Sequence, residues 1–359
     1  MDFFERQHKA KKKTGYLVFL FFLAIIFVTF LNQLILGSIL AFSRGPKGEP
    51  DFSTLYDPVI IFWVFLGTLG VIGLASVFRS FQLKEGGSAI ATMMGGQLVN
   101  MATTHPDERK LMNVVEEMAI ASSVPMPEVF VMRGEEAINA FAAGFTPDDA
   151  VIGVTAGCIR QLSRDELQGV IAHEFSHILN QDMRLNLKLV AVVFGLIVLT
   201  MIGRIMMEIG FESSRYRRRD SEGGGTLAIG IAGLGILAAG GLGVFMGNLI
   251  KSAVSRQREY LADSSAVQFT RNPEGLSGAL KKIGALSLGS RLGSPRADEA
   301  SHMFFGNGLR ESWFNLTSTH PPLLERIQLI EPSFDGDFTE VKLTGLETEF
   351  DSSPETEGT

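Results

Sequence analysis

The sequence predicts an α+β, mainly helical chain anchored in a membrane. Three observations carry this. The mean hydropathy is +0.21 with 46% apolar residues, richer than a water-exposed surface normally allows. Four long apolar stretches punctuate the chain, and between the second and third lies a polar segment with short β-like runs. The 359 residues leave room for two or three folding units.

Charge narrows the function classes. The net charge is −7, and nine acids lie after Ile330 beside one base, Lys342, so the rest of the chain holds 31 bases and 30 acids. A near-neutral body offers no basic surface for nucleic acid, and no nucleic-acid partner is expected. Gly-Lys never occurs, so a nucleotide-binding P-loop is not expected either. With Cys158 the lone cysteine, an intrachain disulfide and Cys-type metal clusters are excluded, and a metal site would use His, Asp or Glu.

In chain order, Tyr16 to Phe42 is a run of 27 uncharged residues behind five bases between Arg6 and Lys13. At 1.5 Å per residue it exceeds a hydrocarbon core of roughly 30 Å and reads as an uncleaved anchor. Asn32 and Gln33 within it are expected to bond a neighbouring helix. Pro58 to Phe78 is the second span. The positive-inside rule places the N-terminus and residues 79–188 in the cytoplasm. Leu189 to Gly203 is short, at 15 residues, and Arg215, Arg217, Arg218 and Arg219 would fall on the wrong side of the next stretch, Leu227 to Ile250. Whether this hairpin fully crosses therefore stays open. The expected organisation is a two-span anchor over 1–84, a first soluble part over 85–188, a helical hairpin over 189–250, a second soluble part over 251–330 and an acidic, mobile tail over 331–359.

In the first soluble part, Gly86, Gly87, Gly95 and Gly96 suggest a flexible stretch. Pro106 then opens a helix whose Leu111, Val114, Val115, Met118 and Ala119 follow the helical period. Glu128 to Met132, Ala137 to Phe145 and Ala150 to Thr155 read as a small sheet. Ser163 with Glu166 three residues on forms a capping box that starts the next helix. Later helices break at Pro273, Pro295 and Pro321.

That capped helix carries His173-Glu174-Phe175-Ser176-His177. Four helical residues turn about 400°, so both imidazoles share one face about 6 Å apart along the axis, a spacing that suits one Zn²⁺. Zinc lowers the pKa of a bound water from about 15.7 toward about 7, and Glu174, about 100° round the helix, can take the proton as a carbonyl is attacked. This is peptide hydrolysis. A catalytic zinc usually takes a third protein ligand. Glu259 and Asp263, four apart on what reads as the exposed continuation of the last apolar helix, are the next strong candidates. Spacing alone divides evenly between an ordinary charged helix face and a ligand, Glu259, with an acceptor, Asp263, for a ligand histidine.

The HExxH helix, Leu111-Met112-Asn113-Val114-Val115-Glu116-Glu117-Met118-Ala119, Ile138-Asn139-Ala140-Phe141-Ala142-Ala143-Gly144, Arg258-Glu259-Tyr260-Leu261-Ala262-Asp263 and Ser318-Thr319-His320-Pro321-Pro322 together resemble the HtpX-type membrane zinc metalloproteases, relatives of the type I CAAX prenyl proteases. The resemblance implies a zincin-like metalloprotease domain with one Zn²⁺ per chain on His173, His177 and Glu259, and Glu174 as the base. It implies Asn139 and the backbone near Ala140 along the substrate, and His320 as an oxyanion donor. It also implies a multi-pass protein of the bacterial inner membrane, its site facing the cytoplasm, acting on membrane or misfolded polypeptides in stress-linked quality control. A prenyl-protein-type endoprotease would share every ligand, and an inactive zinc-containing scaffold is the reading from another class. His105 and His302 match no element of the family.

Overall fold

The computed structural model describes residues 3–44, 49–82, 86–216, 224–290, 318–339 and 341. Two units emerge, one comprising Met1–Lys12, Glu85–Arg184 and Ser255–Thr359, the other Lys13–Lys84 and Leu185–Val254.

The second unit is helical. Helix α1 (Phe3–Arg44) and α2 (Pro58–Gln82) flank a 3-10 turn at Phe52–Leu55, and α7 (Asp182–Tyr216) and α8 (Gly224–Thr270) contribute their apolar parts. All four helices are long and apolar enough to cross a membrane. The third is longer than its apolar run suggests. Helix α7 continues through Arg204, whose charge is met one turn on by Glu208 at 2.8 Å, so the base does not end the helix. Val28, Ile72, Leu196, Leu199 and Ile236 form a core between the four helices. Helices α7 and α8 meet backbone to backbone: a Cβ on Gly210 would lie 2.2 Å from the Gly230 nitrogen, and one on Gly233 2.2 Å from the Met207 nitrogen. Small residues permit this approach, which dispersion and close packing reward in a bilayer.

Asn32 departs from expectation. Gln33 Nε2 donates to the Leu55 carbonyl at 3.4 Å, but both amide atoms of buried Asn32 lack a hydrogen-bond partner among the described residues.

The first unit is built on a sheet of order β1-β2-β4-β3, from Gln97–Leu98, Glu128–Met132, Val151–Thr155 and Ala140–Ala143. Strands β2 and β4 are parallel, with Val129 opposite Ile152, and β3 runs antiparallel to β4, with Ala140 opposite Val154. The central β4 is buried throughout, in keeping with its unbroken run Val151-Ile152-Gly153-Val154. Strand β3 is shorter than the 137–145 run. The 86–96 stretch is not a flexible linker: it holds helix α3 (Gly87–Met93), and Gly87 packs where a Cβ would meet the Ala143 carbonyl at 2.6 Å. These glycines permit close approach.

Helix α4 (Pro106–Ser122) buries all five periodic positions, as expected. Helix α5 (Ala156–Gln161) leaves β4 directly, capped by Thr155 Oγ1 accepting from the Cys158 N–H at 3.2 Å. Helix α6 (Arg164–Leu179) starts in the predicted capping box, with Ser163 N–H donating to Glu166 at 2.7 Å and Glu166 N–H to Ser163 Oγ at 3.3 Å. Helix α9 (Pro273–Ser290) lies against it so closely that a Cβ on Gly169 would stand 2.7 Å from the Leu276 nitrogen, and Lys282 donates to Glu166 at 2.8 Å. Helix α10 (Leu323–Ile330) follows Pro321 and Pro322. The break at Pro295, His302, Arg217 to Arg219 and nearly all of the acidic tail beyond Thr339 lie outside the described residues.

Candidate metal centre

Helix α6 presents the two motif histidines on one face, as its period requires, their rings edge to face with centroids 4.7 Å apart. Helix α8 brings Glu259 up to them: Oε2 lies 3.6 Å from His173 Nε2 and Oε1 lies 3.5 Å from His177 Nε2. Among the described residues this is the group of His, Cys, Asp or Glu side chains able to hold a metal ion, with ligand atoms all within 4.8 Å of one another. The 256–263 segment does continue the apolar helix, but it is not exposed. Glu259 and Asp263 are both 5% accessible, because this turn of α8 is covered by α6 and α10.

The remaining nitrogens define the protonation. His173 Nδ1 pairs with Asp263 Oδ1 at 2.9 Å, and His177 Nδ1 pairs with Asp182 Oδ2 at 2.8 Å. A carboxylate only accepts, so each Nδ1 carries the proton and, in a neutral ring, each Nε2 presents a bare lone pair. Those two Nε2 atoms face each other at 3.0 Å. With both rings neutral, two Nε2 atoms and a carboxylate converging on one spot suit a cation.

Charge leads to the same conclusion. Among the described residues, four carboxylates, Glu174, Glu259, Asp263 and Asp182, and two guanidiniums, Arg326 and Arg258, stand around the cluster. With both imidazoles neutral, as metal ligands must be, these groups leave two negative charges, which match one divalent ion. The buried oxygen Oε2 of Glu259 comes within 3.1 Å of His320 Nδ1 and 3.2 Å of Arg326 Nη1 without an aligned hydrogen bond to either. The donor set of two imidazoles and a carboxylate therefore fits a metal such as zinc.

Arg326, 1% accessible, forks onto Asp263 through Nε at 2.9 Å and Nη2 at 2.7 Å. Burial opposes its charge, yet Asp263 and Glu259 more than offset this and raise its pKa. Burial likewise opposes protonation of His177, but Asp182, Glu259 and Glu174 overcome it and lift the imidazole to about 9. Burial, aided by the Glu174 charge, pushes the Cys158 thiol up to about 12, which leaves it an inert core residue.

Glu174 is buried one residue past His173. His320 is held beside Glu259 by its loop, where Arg256 donates to the Ser318 carbonyl at 2.7 Å and Ser318 Oγ to the His320 carbonyl at 2.9 Å. Asn139 is buried and its backbone is occupied, the N–H donating to Thr155 Oγ1 and the C=O accepting from the Thr155 N–H, both at 3.0 Å. Backbone groups alternate sides along a strand, so those of Ala140 face away from β4, toward the sheet edge. His105 begins α4 without a side-chain cap bond.

Arg326 and Asp182 escaped the reading of the sequence. Six residues past His320 and five past His177, they match no helical spacing with the ligands. Only the turns at the helix ends, such as Gln181 with φ of 52°, bring them in.

Residues 105–333 match the model of Peptidase family M48. The chain is 32% identical over 287 residues to the Protease HtpX homolog of Streptococcus uberis, covering 75% of this chain and 94% of that protein. It is 40% identical over 275 residues to the Protease HtpX homolog of Thermoanaerobacter pseudethanolicus, covering 75% and 87%. A solved structure, that of S. mikatae Ste24p, is 17% identical with a TM-score of 0.42, covering 90% of this chain and 64% of that one.

Proposed function

The chain belongs to peptidase family M48, and from that premise we propose that this membrane metalloprotease is a zinc endopeptidase cleaving membrane or misfolded polypeptides in membrane quality control. The observation that carries the reading is the meeting of two imidazole Nε2 atoms and the Glu259 carboxylate at one buried spot.

His173, His177 and Glu259 would hold one zinc per chain. Bound there, zinc would supply Lewis acidity, lowering the pKa of a water in the place that three protein ligands leave open. Glu174 takes the proton from the attacking water and passes it to the leaving amine, a role suited to a buried carboxylate next in sequence to a ligand. His320 donates to the oxygen that gains charge on the scissile carbonyl. Asp263 holds His173 in its ligand tautomer, and Arg326 holds Asp263. Substrate adds as a strand along the edge of β3, meeting the outward N–H and C=O of Ala140, while Asn139 shapes the strand it precedes.

The five bases ahead of the first span support a cytoplasmic site, and the likeness to bacterial HtpX homologs supports the bacterial inner membrane. A purely structural zinc would use four protein ligands and has no need of Glu174. The test compares wild type and Glu174→Gln in detergent. Equal zinc content with loss of unfolded-substrate cleavage is expected, and equal cleavage would remove Glu174 from the chemistry.

A further inference from the structure

We propose that Asp182 and Arg258 are positioning residues of the metal centre, fixing His177 as a ligand and holding it in register with Glu259. The inference rests on the zinc reading above and extends it to residues that the HExxH and Glu-x-x-x-Asp patterns do not contain.

The two ligand histidines are supported differently. His173 is served by Asp263, on the same helix face as Glu259. His177 lies near the end of α6, where no residue of that helix reaches its Nδ1. The chain leaves α6 at Asn180, turns through the positive φ of Gln181 and starts α7 with Asp182. This reversal brings Asp182 Oδ2 to 2.8 Å from His177 Nδ1.

The second oxygen of Asp182, Oδ1, is taken by the Arg258 guanidinium in a pair almost wholly withdrawn from solvent. Arg258 Nη2 also donates to the Asn180 carbonyl at 3.0 Å. One guanidinium thus clasps the end of α6 and the start of α7, a site where cationic charge is favoured by the α6 terminus. Arg258 also immediately precedes Glu259. Neighbouring helical residues are offset by about 100°, so holding Arg258 fixes the rotation of this turn of α8 and hence the direction from which Glu259 approaches His177.

The bland reading is that Asp182 is simply an acid in the first turn of a helix. Asp182→Asn separates the two. With Arg258 present, the amide oxygen is drawn to the guanidinium and the NH2 turns to His177. It then donates to Nδ1, forces the ring proton onto Nε2 and removes the metal-binding lone pair. A helix-start role predicts no such effect.

The experiment titrates the full-length chain in detergent with Co²⁺ alone, following the visible ligand-field bands, with zinc competition for affinity. Asp182→Asn is expected to bind about 10- to 100-fold more weakly with altered bands. Adding Arg258→Gln should recover part of that loss, because the Gln carbonyl accepts from the Asn NH2 and frees the Asn oxygen for His177. Arg258→Lys, which keeps the charge but cannot span Asp182 and the Asn180 carbonyl together, should fall between wild type and Asp182→Asn. It carries the test if Asp182→Asn does not fold. Affinity and bands indistinguishable from wild type in Asp182→Asn, or in Arg258→Lys where it stands in, would overturn the inference while leaving the metalloprotease reading intact. A wild-type chain that binds neither metal would overturn both.

Discussion

Arg326 shows what a single side chain does at this centre. Its guanidinium is sealed from water and faces Asp263 and Glu259, two carboxylates that are themselves buried. Replacing it with Met removes the compensating charge but keeps the bulk. Arg326→Met is therefore expected to cost about 3–5 kcal/mol of stability, measured by chemical unfolding in detergent, and a near-neutral result would show that the carboxylates find other partners. His320 lies at the same oxygen of Glu259, 3.1 Å away. Truncating it should lower kcat by about 10²-fold while zinc content stays at the wild-type level. If His320→Ala instead loses the metal, the imidazole is a ligand and not an oxyanion donor.

At the scale of elements, two kinds of glycine stand side by side in α8. Gly233 sits where α7 presses against it, and any side chain there would strike the Met207 backbone, whereas a Cβ on Gly241 meets nothing within 4 Å. Gly233→Leu should destabilise by about 1–3 kcal/mol through overpacking, and Gly241→Ala should be neutral or slightly stabilising because alanine favours the helix. Thermal loss of helical circular dichroism reads both. Equal behaviour of the two variants would mean that α7 and α8 separate without cost. The same principle governs α6 and α9 in the other unit, where Gly169 and Gly275 permit backbone approach and Lys282 ties α9 to the capping box that starts the histidine helix.

For the whole molecule, the proposed metal is expected to act as part of the fold. Without a metal ion, the four carboxylates are only partly offset by Arg258 and Arg326 inside a buried site. A chelator should abolish cleavage and lower the melting temperature together, and added zinc should restore both. At a free zinc concentration of 100 times Kd the expected stabilisation is about 2.7 kcal/mol. Loss of activity with no change in melting would mean that the site stays formed when empty.

How much of this was legible in the sequence follows from distance along the chain. The four apolar helices, the capped start of α6, the buried face of α4 and the shared face of His173 and His177 depend on contacts a few residues apart, which the helical period and cap chemistry set directly. Strand β3 came out shorter and Gly87 tighter than their composition suggested, since strand ends and glycine roles depend on what packs against them. By itself, then, the sequence determined the membrane helices and the histidine pair, helical spacing offered Glu259 and Asp263, and resemblance pointed to Glu259 as the ligand. Only the tertiary structure decided that the Glu259 turn is buried, that Asp182 meets His177 and Arg326 meets Asp263, and that Asn32 lacks a partner among the described residues, because each depends on how separate helices pack and no local repeat encodes that.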